Sequence, residues 1–136
     1  MRTIVDEESV TLIVTREDLL EDGVLIDISR QAREAGLFTP VAITARIADL
    51  ARQAVQERAP DLLEAKDLDT VFYDIAWMLV QQVFVVARLR GQAVKWYERK
   101  RFPVWIGGVK HELDAVCSPE GDRGATVLTV LLPGED

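Results

Sequence analysis

Groups able to do chemistry are few and scattered in this chain. His111 and Cys117 are its one histidine and one cysteine. The usual zinc sets need three or four convergent His, Cys or carboxylate ligands, which a single His and a single Cys do not supply. Six positions apart on one strand, the two would share a face yet stand about 20 Å from each other, too far for a Cys–His pair. Ser9, Ser29 and Ser118 lie in no nucleophile context, and GxSxG is absent. Neither GxGxxG nor GxxxxGK[ST] occurs, and Gly107-Gly108 precedes a strand rather than a helix, so it reads as a bend and not a phosphate cradle. Carboxylate pairs such as Asp22/Asp27 or the Asp67, Asp69 and Asp74 group could do acid–base work or hold Mg²⁺, but caps and solvated faces account for them. The expectation is a protein with no catalytic residues, no metal and no cofactor.

Binding chemistry is better represented. Residues 88–110 carry Arg88, Arg90, Lys95, Arg99, Lys100, Arg101 and Lys110 against Glu98 alone, for a net charge of +6. Trp96, Tyr97 and Phe102 are interleaved with them, and cations beside stacking surfaces are what single-strand nucleic-acid binders use. The other reading is a strand edge whose Lys and Arg block aggregation while its aromatics cover the core, or a contact for a protein partner. The first 70 residues hold the whole net charge of −7, concentrated in Asp6, Glu7 and Glu8 and again in Glu17, Asp18, Glu21 and Asp22. Such a face can imitate a phosphate backbone before a partner protein, or simply be solvated.

The elements that must position these groups follow from periodicity and punctuation. VTLIVT (residues 10–15) is a β-branched strand, residues 16–22 a short helix stopped by Gly23, and VLIDI (24–28) a second strand. Ser29 is an N-cap candidate for a short helix closed by Gly36, and Thr44 for the helix over 45–59. That helix places Ile47, Leu50, Ala51, Ala54 and Val55 on one face. The longest element runs from about Leu68 to Leu89, with Asp67 as N-cap candidate and Gly91 beyond its end. Asp67, Asp74, Gln81 and Arg88 recur every seven positions, predicting one narrow polar stripe on an otherwise apolar cylinder. Such a helix must be covered on most sides, by its own domain or by a second copy, and Val83, Phe84 and Val86 are the candidate self-association residues. Its 18-residue apolar stretch, 70–87, carries Asp74, Gln81 and Gln82 and is short for a bilayer, so a core helix is expected and no membrane. Strands expected over 93–102, 109–117 and 125–132 complete a C-terminal meander. The whole reads as an α+β fold: helices on one face of a mostly antiparallel sheet.

Length and composition agree with one soluble domain. The chain has 136 residues, 49% of them hydrophobic and 29% charged, ordinary globular usage that excludes collagenous and low-complexity chains. One cysteine excludes an intrachain disulfide scaffold, and acidic residues 6–8 interrupt what a signal peptide would need, so the expected compartment is the cytoplasm.

DGVLIDI (22–28), continuing through Ala32, Ala35-Gly36, Phe38 and PVAIT (40–44), resembles the opening signature of a small bacterial family of uncharacterised activity, met on plasmids, phages and integrated elements. DIAWM (74–78) and TVLLPGED (129–136) are similar to the same pattern, while residues 90–108 align with none of it. The resemblance implies no catalytic residue and no cofactor. It implies accessory work for a mobile element, such as countering host defence or helping maintenance or transfer. A non-enzymatic interaction protein acting through a protein partner is thus the expectation, with a homodimer through the long helix and, as the alternative, nucleic-acid binding through residues 88–110.

Overall fold

The computed structural model describes residues 3–7, 10–58, 65–91, 99–119 and 126–135. An antiparallel hairpin opens the chain, β1 (Thr3–Glu7) with β2 (Val10–Val14), Thr3 lying opposite Val14. The acidic start of the chain thus forms a strand that its composition did not announce. α1 (Arg16–Glu21) begins with a reciprocal cap: Asp18 N–H donates to Thr15 Oγ1 at 3.2 Å and Thr15 N–H to Asp18 Oδ2 at 3.0 Å. Gly23, with φ +76°, ends it in the left-handed region.

Five strands form the main sheet in the order β3 (Leu25–Asp27), β4 (Val41–Thr44), β7 (Val127–Leu131), β6 (Val109–Ser118), β5 (Lys100–Ile106). Three of its four pairings are antiparallel; β4 and β7 run parallel, with Val41 opposite Leu128 and Ile43 opposite Val130. The architecture is α+β, and the sheet is mostly antiparallel as the strand patterns imply. Gly107 and Gly108 make the two-residue β5–β6 turn at φ +61° and +80°, the doubly left-handed geometry that matches strand twist. At Gly107 a Cβ would also sit 2.8 Å from that of Ala54, so the hairpin tip rests directly on the helix Ala45–Arg58.

Alternation along the strands gives the sheet two different faces. One carries Val41, Ile43, Phe102, Val104, Leu113 and Val130, all buried beneath α2 (Ser29–Glu34), α3 (Ala45–Arg58) and α4 (Ala65–Leu79). Ile47, Ala48, Ala51 and Val55 are the buried stripe of α3, while Leu50 and Ala54 are only half-buried. α1 lies on the opposite face, where Arg16 reaches Thr129, so the helices are not confined to one side. Ser29 is the first residue of α2 rather than its cap. Its hydroxyl donates to Asp27 Oδ1 at 2.5 Å, and Arg30 and Gln31 tie α2 to Asp69 of α4 at 2.6 and 2.7 Å.

The long helix changes gauge. α4 starts at Ala65, which puts Asp67 inside the first turn, and a π segment at Val80–Val85 joins it to α5 (Val86–Leu89). In an unbroken α-helix Gln82, three positions after buried Leu79, would share its face. The wider π turn swings Gln82 out to solvent, while Val83, four positions after Leu79, stays in the core. The seven-residue polar spacing therefore does not continue as one stripe beyond Gln81. The 23 residues Asp67–Leu89 are long and apolar enough to cross a membrane by length and composition, and one third of their apolar window is buried in this fold.

Candidate functional site

The structure brings two of the sequence candidates onto one buried carboxylate and builds a cavity that one of them, Arg99, borders. Arg88 and Arg90 are exposed at the end of α5, while Lys95, Trp96 and Tyr97 lie outside the described residues. Arg99 and Arg101 converge on Asp114, a carboxylate on β6 only 3% exposed. Arg101 Nε donates to Oδ1 at 2.8 Å and Nη2 to Oδ2 at 3.2 Å, and Arg99 Nε donates to Oδ2 at 3.2 Å. Those bonds, Arg101's first, hold the Asp114 carboxyl below the usual carboxylate range against the opposing effect of burial. Two of the segment's seven cations thus share one carboxylate, with their side chains still partly exposed. Among the described strands β5 is a sheet edge, with Arg101 and Pro103 on the face opposite a buried Phe102. Trp105 is exposed with Lys110 Nζ 5.9 Å from its ring centre.

Four of the seven acidic candidates share one short helix and its ends. Asp18 is occupied in the α1 cap, Glu17, Glu21 and Asp22 are exposed around the same short helix, and Asp6 and Glu7 lie in β1. Glu8 is outside the described residues. Of the proposed self-association residues, Val83 faces the core, which corrects its assignment to an outer surface, and Phe84 and Val86 are half-buried. His111 and Cys117 both belong to β6, and burial pushes the Cys117 thiol above its usual value. No cluster of three or more His, Cys, Asp or Glu suited to a metal occurs among the described residues.

What the fold does build is a cavity of about 630 Å³ on the sheet face away from α3 and α4. Its apolar wall includes Leu19 of α1, Val24 and Leu25 at β3, Val116 of β6 and Leu131 of β7. Among the described residues, Arg16, Arg46 and Arg99 meet this wall, with Thr44, Ser118 and Thr129 as hydroxyl groups and Glu135 as the carboxylate. Glu135 is engaged elsewhere: Thr44 Oγ1 and Leu132 N–H both donate to its Oε1 at 2.8 Å, a latch made possible by the turn at Gly134, φ +91°. Arg99 Nη2 donates to the Glu135 carbonyl at 3.1 Å, fastening β5's approach to the same rim.

Arg16 is the unusual member. It is the first residue of α1, only 8% exposed, and stands over β7. Its Nη1 donates to Thr129 Oγ1 at 2.6 Å and its Nη2 to the Leu128 carbonyl at 2.8 Å. A guanidinium has five N–H donors, and these bonds use two. Among the described residues no carboxylate lies within ion-pair distance of it, and Asp27, which favours its charge from farther away, is itself held by Ser29. Burial accordingly lowers the Arg16 pKa from its ordinary value, with Asp27 opposing. A cation removed from water without a paired anion carries a desolvation penalty of several kcal/mol that an incoming anion would offset.

Sequence reasoning passed over Arg16 because an arginine at the first turn of a short helix normally points to solvent. The usable signal was the apolar composition of the strands on both faces: Leu25, Val127 and Leu131 alternate onto the side away from the core helices and require a cover there. Comparison of the chain with protein-family models, with curated proteins and with solved structures finds no match in any of the three.

Proposed function

We propose that the protein is a non-enzymatic binding protein that receives an acidic group of a partner protein in the cavity beneath α1. One observation carries this reading: a buried arginine, unpaired by any described carboxylate, opens on an apolar-walled space that two further arginines border. An aspartate, glutamate or chain-terminal carboxylate entering with its aliphatic stem would satisfy both the wall and the charge, through the bidentate geometry that arginine offers carboxylates. The fit of the space to one or two side chains supports a peptide-sized contact within a larger interface. The resemblance to a family of mobile elements supplies a setting, in which the partner is a host or element protein in the cytoplasm and binding is the whole activity.

Nucleic-acid binding through residues 88–110 draws less support, because Arg99 and Arg101 are both committed to the Asp114 carboxylate, which offsets one of their two charges and fixes their geometry. The test places a photo-crosslinking amino acid at Val24, an exposed position on the cavity rim, in the full chain expressed in its host. A discrete crosslinked protein that disappears when Arg16→Met is added is the expected result. A crosslinked species indifferent to Arg16→Met, or nuclease-sensitive material in its place, overturns the proposal.

A further inference from the structure

The outer side of the long helix has an order of its own. Residues four apart drift around an α-helix in one direction, and around a π turn, which takes up more than four residues, in the other. The π segment at Val80–Val85 therefore straightens the row Trp77, Gln81, Val85, Leu89, which runs nearly parallel to the axis instead of winding around it. Trp77 is 42% exposed and Leu89 82%, while Gln81 and Val85 are half-buried. Tyr73 extends the row at the N-terminal end. Large apolar side chains in line on a helix surface, on a window of which only a third is buried, are an uncovered face.

Charge along this helix is antisymmetric about the middle of the row. Asp67 and Asp74 flank its first half, and Arg88 and Arg90, both exposed, flank its far end. Gln81 lies midway between Asp74 and Arg88, between Trp77 and Val85, and between Tyr73 and Leu89. A second copy laid antiparallel across Gln81 would place Trp77 on Val85, Tyr73 on Leu89 and Gln81 on Gln81. The same operation carries the Asp74 end of each copy alongside the Arg88–Arg90 end of the other. A parallel copy would instead set acid beside acid and base beside base, so the charge order selects one arrangement. We infer that the exposed row from Tyr73 to Leu89 is the two-fold interface of an antiparallel homodimer, centred on Gln81.

Two charge-reversed chains test the arrangement. One carries Asp67→Lys and Asp74→Lys, the other Arg88→Glu and Arg90→Glu, and circular dichroism verifies that each is folded. Sedimentation velocity of the full-length wild-type chain at micromolar concentration should show a dimer. Each variant alone should dimerise about a hundredfold more weakly, because every end contact becomes repulsive, and an equimolar mixture should regain the dimer as a heterodimer. Leu89→Glu, at a position too exposed to matter for folding, should also give monomer. A wild-type monomer, reversed variants that still dimerise, or a mixture that stays monomeric overturns the inference. So does a chain that remains monomeric and sediments with phosphatidylcholine vesicles, which would make the row a lipid contact.

Discussion

Replacing Arg16 by methionine separates an arginine kept for a ligand from one kept for the fold. The substitution removes two hydrogen bonds from a charged donor, at 2.6 Å to Thr129 Oγ1 and 2.8 Å to the Leu128 carbonyl. Such bonds contribute roughly 1.5–3 kcal/mol each, so the gross loss is about 3–6 kcal/mol. Against it stands the desolvation of a guanidinium 8% exposed with no described carboxylate at hand, also several kcal/mol. Methionine keeps the unbranched apolar stem that packs beneath α1. The two effects nearly cancel, and urea unfolding followed by circular dichroism should show a change within about 1 kcal/mol, while the crosslink from Val24 disappears. Thr129→Val is the informative companion. It strands Nη1 of a buried cation and should destabilise by about 1–2 kcal/mol in the wild-type background and by much less beside Arg16→Met. A loss above about 3 kcal/mol for Arg16→Met alone would refute the reasoning, since the guanidinium would then be holding α1 to β7 rather than awaiting an anion.

Other consequences are equally accessible. Gly107→Ala should destabilise by about 2 kcal/mol in chemical unfolding, because a left-handed φ and a 2.8 Å approach to the Ala54 Cβ both oppose the new methyl group. Asp114 has a folded pKa below its ordinary 3.8, so its contribution is fully present above that value and is lost as pH falls through the lower folded pKa; Asp114→Asn should flatten the acid side of the stability profile, and an unchanged slope would contradict the Arg99–Asp114–Arg101 cluster. Val83→Asp should unfold the chain outright rather than merely dissociate it, since the side chain lies in the core within the π segment; a folded monomer by circular dichroism would contradict this placement. Cys117 should react with a disulfide reagent more slowly in the folded chain than in urea at the same pH, as burial disfavours its thiolate.

Local signals carried the elements well and their assembly less well. VTLIVT, the Gly23 stop, the α3 stripe and the last two strands were legible because β-branched runs, glycine stops and apolar spacing act within a few residues. Nothing comparable announces that β4 pairs in parallel with β7, since that choice is made by packing between segments far apart in the chain. Heptad counting assumes one gauge and so does not announce the π segment, which leaves Gln82 on the outer side although an unbroken helix would turn it toward the face of Leu79. Asp114 reads in isolation as an outward polar residue on an alternating strand. Only the β5–β6 register, with Arg101 opposite Asp114, shows why a carboxylate can be buried there. Arg99 was among the sequence candidates and does reach the cavity rim, whereas Arg16 and Arg46 were not, their neighbours being distant in sequence.

The place of β7 bears on how the chain is made. It joins β3–β4 to β5–β6, so among the described strands the two halves of the sheet have no direct pairing with each other. While the chain is emerging from a ribosome, each half can form its local hairpin or helix, but neither can close the core until residues 127–131 have left the exit tunnel. Folding should therefore wait for the last strand and proceed as a late, concerted docking, with β4 and β6 exposing unpaired edges until then. A chaperone that shields strand edges would act on the nascent protein in this interval, and chains stalled before Val127 should be the ones it retains.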